Sequence, residues 1–228
     1  MSEPAGDPLG AVRAAVVRLG RRVVGAGLVV ASGGNVAARL PGGDDIVVTP
    51  SAWPLDELRP DLLPVVGPDG AVRVPPVDGA RPTSELAVHL AVLAARPDAT
   101  VVVHLHPPMA TLLASLGTAI RTITTDHALA LRRTATVPYH HPGSDELAHA
   151  VGTAARDHDV VLLAHHGCVV VADDPDVALT RAANLEAAAV ATHHARQLGD
   201  HDTACPPEFL AHVDRIAARG VRYGRRAT

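Results

Sequence analysis

Two apolar runs that end in histidine place the strongest constraint on how this chain folds. Thr100–Leu105 is followed by His106, and Val160–Ala164 is followed by His165-His166-Gly167. Apolar runs bounded by proline or glycine are typical of buried strands that end in turns. Residues two apart in a strand project from the same face, so the spacing predicts that His104 and His106 face one point.

These histidines allow two interpretations. The chain has fourteen histidines, and most histidines in proteins are titrating surface groups or hydrogen-bonded core residues. However, both runs place them at the C-terminal ends of predicted strands, where α/β proteins build their sites. Three imidazoles with one open position are typical of catalytic zinc. We therefore interpret His104, His106 and a histidine of the second run as metal ligands.

Composition excludes several other kinds of chemistry. All twenty basic residues are arginine, so a lysine Schiff base, including a pyridoxal phosphate linkage, is excluded. Carbonyl chemistry in this chain would depend on a metal. The two cysteines are too few for a disulfide framework. A net charge of -4 with 2% aromatic residues argues against nucleic acid as a partner.

The distribution of apolar residues predicts a cytoplasmic protein. No apolar stretch approaches the roughly 18 residues that a membrane span needs, so we expect no membrane partner. The first residues, Met1–Pro8, contain acid and proline where a secretory signal has basic and then apolar residues.

The order of predicted elements indicates an α/β fold. Short strands in hairpins come first, with Gly67-Pro68-Asp69-Gly70 as one turn, and helices alternate with strands afterwards. We expect a three-layer α/β/α sandwich with a mixed, largely antiparallel central sheet, formed by a single domain of residues 1–228. Periodicity and capping residues predict helices over Leu9 to Leu28, Glu85 to Ala95, Pro107 to Leu116, Asp145 to Arg156, Pro175 to Leu198 and Pro206 to Gly220. A further strand is expected near Ala119 to Ile123.

Glu85 is the candidate general base. It lies at the start of a predicted helix, where the helix dipole favours the carboxylate. Removal of a proton beside a metal-polarised carbonyl needs a carboxylate that is near the metal without being a permanent ligand. The alternative is that Glu85 only caps the helix. His89, one turn later, is interpreted as a residue that supports Glu85.

Small and hydroxyl-bearing residues in the first ninety positions predict an anion pocket. They are Gly33-Gly34-Asn35, Thr49-Pro50-Ser51-Ala52 and Thr83-Ser84. Such residues expose backbone N–H groups and hydroxyls, which bind phosphate or carboxylate. Each segment alone is typical of a turn or a cap, and the prediction depends on their occurring together.

The order of these motifs resembles the class II aldolase and adducin family. Gly-Gly-Asn-Val-x-x-Arg, Thr-Pro-Ser, Pro-x-Ser-Glu-x-x-x-His, His-x-His-Pro and His-Gly follow one another between the first helix and about Leu198. The resemblance implies an α/β/α sandwich. It also implies a homotetramer with active sites between subunits, and a sugar phosphate or keto acid as the small-molecule partner.

The resemblance assigns roles to individual residues. His104, His106 and His166 would bind Zn²⁺, with Mn²⁺ or Co²⁺ as alternatives, and His166 is preferred to His165 because the family's ligand directly precedes the glycine. Glu85 falls on the catalytic acid/base. The implied residues of the substrate phosphate pocket are Gly34, Asn35, Ser51, Ala52, Thr83 and Ser84.

Two departures from the family pattern affect these assignments. Ala52 replaces the usual glycine after Thr-Pro-Ser, where phosphate approaches the backbone. The tyrosine that the family's fuculose-phosphate aldolase donates across a subunit boundary has no clear counterpart in residues 120–127. Tyr223 is a candidate for the second, C-terminal tyrosine of that enzyme, and Asp126 is a candidate acid for an epimerase.

The implied reaction is the reversible aldol cleavage of a ketose phosphate, similar to fuculose 1-phosphate, into dihydroxyacetone phosphate and an aldehyde. Zinc would stabilise the developing negative charge, and Glu85 would move the proton at the reacting carbon. Alternatives within the family are a metal-dependent decarboxylase and a pentulose-phosphate epimerase. The epimerase ranks lower because the family's epimerases typically carry a lysine after the phosphate loop. The retained histidines and Glu85 argue against a non-enzymatic, adducin-like module.

Overall fold

The computed structural model describes residues 7–218, which contain one mixed sheet with helices on both faces. The strands are β1 (Asn35–Arg39), β2 (Ile46–Val48), β3 (Val65–Val66), β4 (Val72–Val74), β5 (Val101–Leu105), β6 (Thr134–Val137), β7 (Val160–Leu163) and β8 (Gly167–Ala172). The helices are α1 (Pro8–Gly25), α2 (Leu86–Ala95), α3 (Pro108–Ser115), α4 (Thr125–Ala130), α5 (Asp145–Ala155), α6 (Pro175–Gln197) and α7 (Pro207–Ala218). Among these helices, none combines the length and apolar character needed to cross a bilayer.

The strands lie in the order β4-β3-β2-β1-β5-β8-β7-β6. Adjacent strands are antiparallel except β6 and β7, which are parallel and are joined through α5. A parallel pair needs such a crossover, whereas the antiparallel pairs β1–β2, β3–β4 and β7–β8 are joined directly. The mixed, largely antiparallel sheet predicted from the sequence is confirmed.

Alternation along the strands separates two hydrophobic layers. In β5, Val101 and Val103 pack with apolar residues of α1, α3, α4 and α6. Val102, between them, packs on the other face with residues of α2 and α5. Successive side chains of a strand point to opposite faces, so one strand contributes to both layers. This arrangement confirms the α/β/α sandwich, while the assignment of all 228 residues to one domain stays a prediction.

The strand expected near Ala119 to Ile123 is wrong, because this segment is irregular and leads into α4. Its backbone groups bond to other elements: the Arg121 N–H donates to Thr192 Oγ1 of α6 at 2.9 Å, and the Thr122 carbonyl accepts from the Cys205 N–H at 2.7 Å. The predicted end of the last helix, near Gly220, lies outside the described residues.

Asp159 joins the two helical layers at one end of the sheet. It precedes β7, and its carboxylate is 3.0 Å from Arg96 at the end of α2, 2.8 Å from Arg133 before β6 and 2.9 Å from Arg181 of α6. Its side chain is only 15% exposed. Burial raises the pKa of the Asp159 carboxyl, but the Arg133 hydrogen bond and the charges of the three arginines outweigh burial and lower the pKa below its ordinary value.

We predict that Asp159→Asn lowers the free energy of unfolding by about 3 kcal/mol at pH 7, because it leaves partly buried arginines without their counter-charge. The folded-state pKa of Asp159 is depressed, so its contribution is complete above the unfolded value of about 3.9 and is lost as pH falls below it. Urea denaturation of both proteins between pH 7 and pH 3 measures this difference.

The exposed neighbour Asp157 supplies the matched control. Asp157→Asn is expected to change stability by no more than about 0.5 kcal/mol. A difference between wild type and Asp159→Asn that stays constant across this pH range would contradict the assigned role of Asp159.

Candidate metal centre and active site

Three imidazoles converge where β5 and the β7–β8 turn end. His104 lies in β5, His106 is the first residue after Leu105, and His166 is the last residue of the turn. Their ring centroids are 4.7 to 5.2 Å apart, and one nitrogen from each lies within 4.8 Å of the others. The three ligands expected from the sequence are therefore brought together.

The hydrogen bond of His104 orients its other nitrogen toward the cluster. Its Nδ1 is 3.0 Å from the Cys168 carbonyl oxygen, which can only accept, so Nδ1 carries the hydrogen. In neutral His104, Nε2 then presents a lone pair 2.9 Å from His106 Nε2 and 3.0 Å from a Glu85 oxygen. A set of acceptors this close fits a bound cation, and three imidazole nitrogens with a carboxylate beside them fit a catalytic zinc.

Burial keeps the other two histidines neutral. Burial, with smaller contributions from His104 and His166, lowers the pKa of His106 to about 4. The pKa of His166 is also lowered, first by burial and then by His104. A histidine must be unprotonated to ligate a metal, so at neutral pH both side chains have the required form.

Two glycines allow the backbone to approach these histidines. A Cβ on Gly34, whose φ is +83°, would lie 2.7 Å from the His104 carbonyl oxygen. A Cβ on Gly167 would lie 2.3 Å from the Leu105 oxygen and 2.6 Å from a ring carbon of His106. No larger residue fits at either position without displacing a strand or a ligand.

Glu85 directs its carboxylate at the histidines. It was predicted to begin the helix but is the N-cap residue of α2, one position before the helix begins at Leu86, and its side chain makes no capping hydrogen bond. One carboxylate oxygen is 3.0 Å from His104 Nε2 and the other is 3.3 Å from His166 Nε2. When His104 is protonated, its Nε2–H donates to Glu85. Burial raises the pKa of Glu85, but this hydrogen bond, the charge of His104 and the Asn35 hydrogen bond outweigh burial and lower the pKa well below its ordinary value.

The residues predicted to form the phosphate pocket gather at the same end of the sheet. The Ser51 N–H donates to the Arg81 carbonyl at 2.8 Å, and the Thr83 N–H donates to the Thr49 carbonyl at 3.1 Å. Thr49 Oγ1 in turn accepts from the Val36 N–H at 3.1 Å. These bonds bring together Gly34, Asn35, Ser51, Ala52, Thr83 and Ser84, whose binding of phosphate stays a prediction.

The remaining predicted site residues have different outcomes. Asp126 lies in the first turn of α4, which packs chiefly against α6 and α7. Asp126 is not a member of the cluster of His104, His106 and His166 that the described residues form. Tyr223 lies outside the described residues. The roles proposed for both residues therefore stay predictions.

Sequence reasoning missed Glu186, which holds the segment after His106. This α6 carboxylate accepts from the N–H groups of Met109 and Ala110, both at 2.9 Å. The start of α3 has no side-chain cap of its own, so Glu186 takes that place. No local pattern predicts a cap supplied from 76 or 77 residues away.

Comparison with known proteins gives the family. The sequence model of the "Class II Aldolase and Adducin N-terminal domain" matches residues 14–193. The chain belongs to the class II aldolase and adducin family. This confirms the resemblance inferred from the motifs and the predicted enzyme class, a class II aldolase.

Individual members of the class II aldolase family are similar over most of the chain. A 5-deoxy-D-ribulose 1-phosphate aldolase of Bacillus thuringiensis is 30% identical over 216 residues, covering 93% of this chain and 97% of that protein. A 3-oxo-tetronate 4-phosphate decarboxylase of Haemophilus influenzae is 31% identical over 166 residues, covering 70% and 76%. The solved structure of an L-fuculose 1-phosphate aldolase, at 24% identity, shares the fold with a TM-score of 0.83 and coverage of 91% and 96%.

Ala52 carries backbone strain at the predicted phosphate pocket, since its φ is +63°. A non-glycine residue in the left-handed region costs about 1–2 kcal/mol, and Ala52→Gly would remove this cost. Glycine's greater freedom in the unfolded chain offsets about 0.5–1 kcal/mol of the resulting stabilisation. We therefore predict that Ala52→Gly raises the free energy of unfolding by up to about 1 kcal/mol, as measured by urea denaturation.

Ala71 is the matched control, because it is exposed, lies in a turn and has no positive φ. Ala71→Gly is expected to lower stability by about 0.5 kcal/mol. If both substitutions lowered stability equally, Ala52 would not be strained.

Proposed function

We propose that this protein is a zinc-dependent aldolase that cleaves a ketose 1-phosphate reversibly into dihydroxyacetone phosphate and an aldehyde. The observation that carries the proposal is the convergence of three imidazole nitrogens, all within 4.8 Å of one another, on a buried carboxylate. This donor set is typical of a metal that activates a substrate rather than one that only stabilises a fold. Similarity to a ketose 1-phosphate aldolase over 93% of the chain supports the substrate class.

The residues that would hold the metal are His104, His106 and His166. A bound divalent cation supplies positive charge that polarises the substrate ketone and stabilises the negative charge formed as the carbon–carbon bond breaks. Imidazole nitrogens suit Zn²⁺, and they also accept Co²⁺ and, less strongly, Mn²⁺.

Glu85 would move the proton at the reacting carbon. Its lowered pKa keeps it as a carboxylate at neutral pH, the form that accepts a proton in the synthetic direction and returns it in cleavage. Glu85 directly follows Thr83 and Ser84 in the chain. A substrate phosphate held by those two residues would therefore be fixed at a short distance from the base, and orientation of this kind lowers the barrier.

A metal-dependent decarboxylase is the second candidate. The supporting observation is 31% identity to a 3-oxo-tetronate 4-phosphate decarboxylase. Decarboxylation also leaves negative charge beside a carbonyl, so the same metal and anion pocket would serve it. A pentulose-phosphate epimerase ranks lower, because the chain has no lysine and Asp126 lies on α4, a helix that packs chiefly against α6 and α7.

A homotetramer is proposed for the assembled enzyme, as the family resemblance implies. Leu112 of α3 and Leu116, the C-cap residue of that helix, are 48% and 67% exposed, and Val30 is 72% exposed in the loop before Gly33. The α3 helix begins directly after His106-Pro107, so this apolar surface borders the metal centre. Apolar side chains grouped on one surface are typical of subunit interfaces. The cytoplasmic location inferred from the sequence stays a prediction.

A substrate panel with and without a chelator tests the proposed reaction. We expect a ketose 1-phosphate, such as 5-deoxy-D-ribulose 1-phosphate or L-fuculose 1-phosphate, to be cleaved, with activity lost on chelation and restored by Zn²⁺. Glu85→Gln should lower kcat by roughly 100-fold or more, whereas the exposed Glu57→Gln should not change it.

The panel also contains 3-oxo-tetronate 4-phosphate and a ketose 5-phosphate. Release of CO₂ from the former, with no aldehyde from any ketose phosphate, would replace the aldolase with the decarboxylase. Full turnover by Glu85→Gln would remove Glu85 from the mechanism.

Sedimentation velocity tests the proposed tetramer. The double variant Leu112→Glu/Leu116→Glu is expected to dissociate it, because charge would be buried at the interface. Leu198→Glu, at a leucine that is 87% exposed beyond α6, is the control. A monomeric wild-type protein, or a double variant that assembles like wild type, would contradict the proposal.

A further inference from the structure

A chain of buried hydrogen bonds leads from His89 to Glu85 through Asn35. His89 lies on α2, is fully buried, and its Nε2 is 2.5 Å from Asn35 Oδ1. The Asn35 amide nitrogen then donates to Glu85 Oε2 at 3.0 Å. The sequence suggested that His89 supports Glu85, and the structure places the Asn35 side chain, from strand β1, between them.

The surroundings of His89 determine where its hydrogen lies. Its Nδ1 is buried and has no hydrogen-bond partner among residues 7–218, whereas Nε2 faces an amide oxygen that can only accept. The hydrogen is therefore on Nε2, since a buried N–H without an acceptor is the more costly arrangement. Burial is the main cause that lowers the pKa of His89 to about 3, which keeps the ring neutral.

This hydrogen sets the direction of the Asn35 amide. With Oδ1 engaged by His89, the nitrogen must point toward Glu85. A rotation of the amide by half a turn would place oxygen against the Glu85 carboxylate, and two acceptors would then face each other. Asn35 is buried and is paired with His104 across β1 and β5, so neither water nor a backbone shift relieves that arrangement.

We propose that His89 is a positioning residue that fixes the Asn35 amide, which in turn holds the Glu85 carboxylate between His104 and His166. The inference deepens the proposed function, because it rests on Glu85 acting as the base beside the metal. It gives Asn35 a role in orienting the base, in addition to the pocket role implied by the family.

Substitutions at His89 that keep or remove the donor test the proposal. His89→Gln supplies an amide N–H near the position of Nε2, whereas His89→Leu has a similar size and no donor. We expect His89→Leu to lower kcat and Zn²⁺ affinity roughly 10- to 100-fold, the size of effect that follows loss of outer-shell support at metal sites, with little change in KM. The reason is that the negative charge of Glu85 would no longer be held beside His104 and His166. His89→Gln should retain most of both. If His89→Leu does not fold, His89→Asn replaces it, because its amide is too short to reach Asn35.

Zn²⁺ affinity, measured by competition with a chelator on variants whose circular dichroism matches wild type, needs no substrate. His127→Leu, which removes another buried histidine away from the cluster, should leave this affinity unchanged. In an Asn35→Leu background, His89→Leu should cause no further loss of affinity, because the hydrogen-bonded route through Asn35 is already absent.

The outcomes separate this inference from the proposed function. If wild type binds Zn²⁺ but cleaves no ketose phosphate, the proposed function fails, and the affinities still decide the role of His89. If wild type is an active aldolase and His89→Leu matches it in kcat and Zn²⁺ affinity, the positioning role is overturned. Independent losses in the Asn35→Leu background, or failure of His89→Gln to retain affinity, would overturn it as well.

Discussion

The pairing of β5 with β1 on one side and β8 on the other is the constraint on which the site depends. It places His104 opposite Asn35 and Val169, and Leu105 opposite Cys168, whose carbonyl accepts the His104 hydrogen bond. A slip of one residue would turn His104 from the α2 face to the opposite layer. The backbone ladder that builds the sheet therefore also sets the orientation of His104, the candidate metal ligand.

Much of the site could be predicted because its signals are local. The spacing of His104 and His106, the glycine after His166, and the hydroxyl residues before Glu85 each lie within a few positions of one another. The order of predicted elements, hairpins first and then helices alternating with strands, also predicted the layered fold. Contacts between residues that are far apart in the sequence could not be predicted, because only the folded chain brings them together.

Contacts between remote elements account for the errors. The backbone of residues 119–123 is satisfied by Thr192 and Cys205, so an apolar segment that resembles a strand has no strand partner. Glu186 caps a helix 76 residues earlier in the chain, and Asn35 comes between His89 and Glu85. None of these pairs leaves a periodic pattern in the sequence. The structure also separates stability from chemistry along the same elements. Helix α2 has Glu85 at its N-cap and Arg96 at its C-cap, and β7 connects Asp159 to the turn of His166.

The absence of lysine explains why so many groups support one centre. An aldolase that uses a Schiff base withdraws electrons through a single covalent bond to lysine, whereas the metal proposed for this chain would have to be held by several separate ligands. Each ligand then has to be held in place. The Cys168 carbonyl orients His104, and Glu186 holds the start of the helix that follows His106. Metal affinity in such a site depends on several secondary-structure elements. Residues that never contact the substrate then affect the chemistry, because they fix the direction in which a ligand's lone pair points.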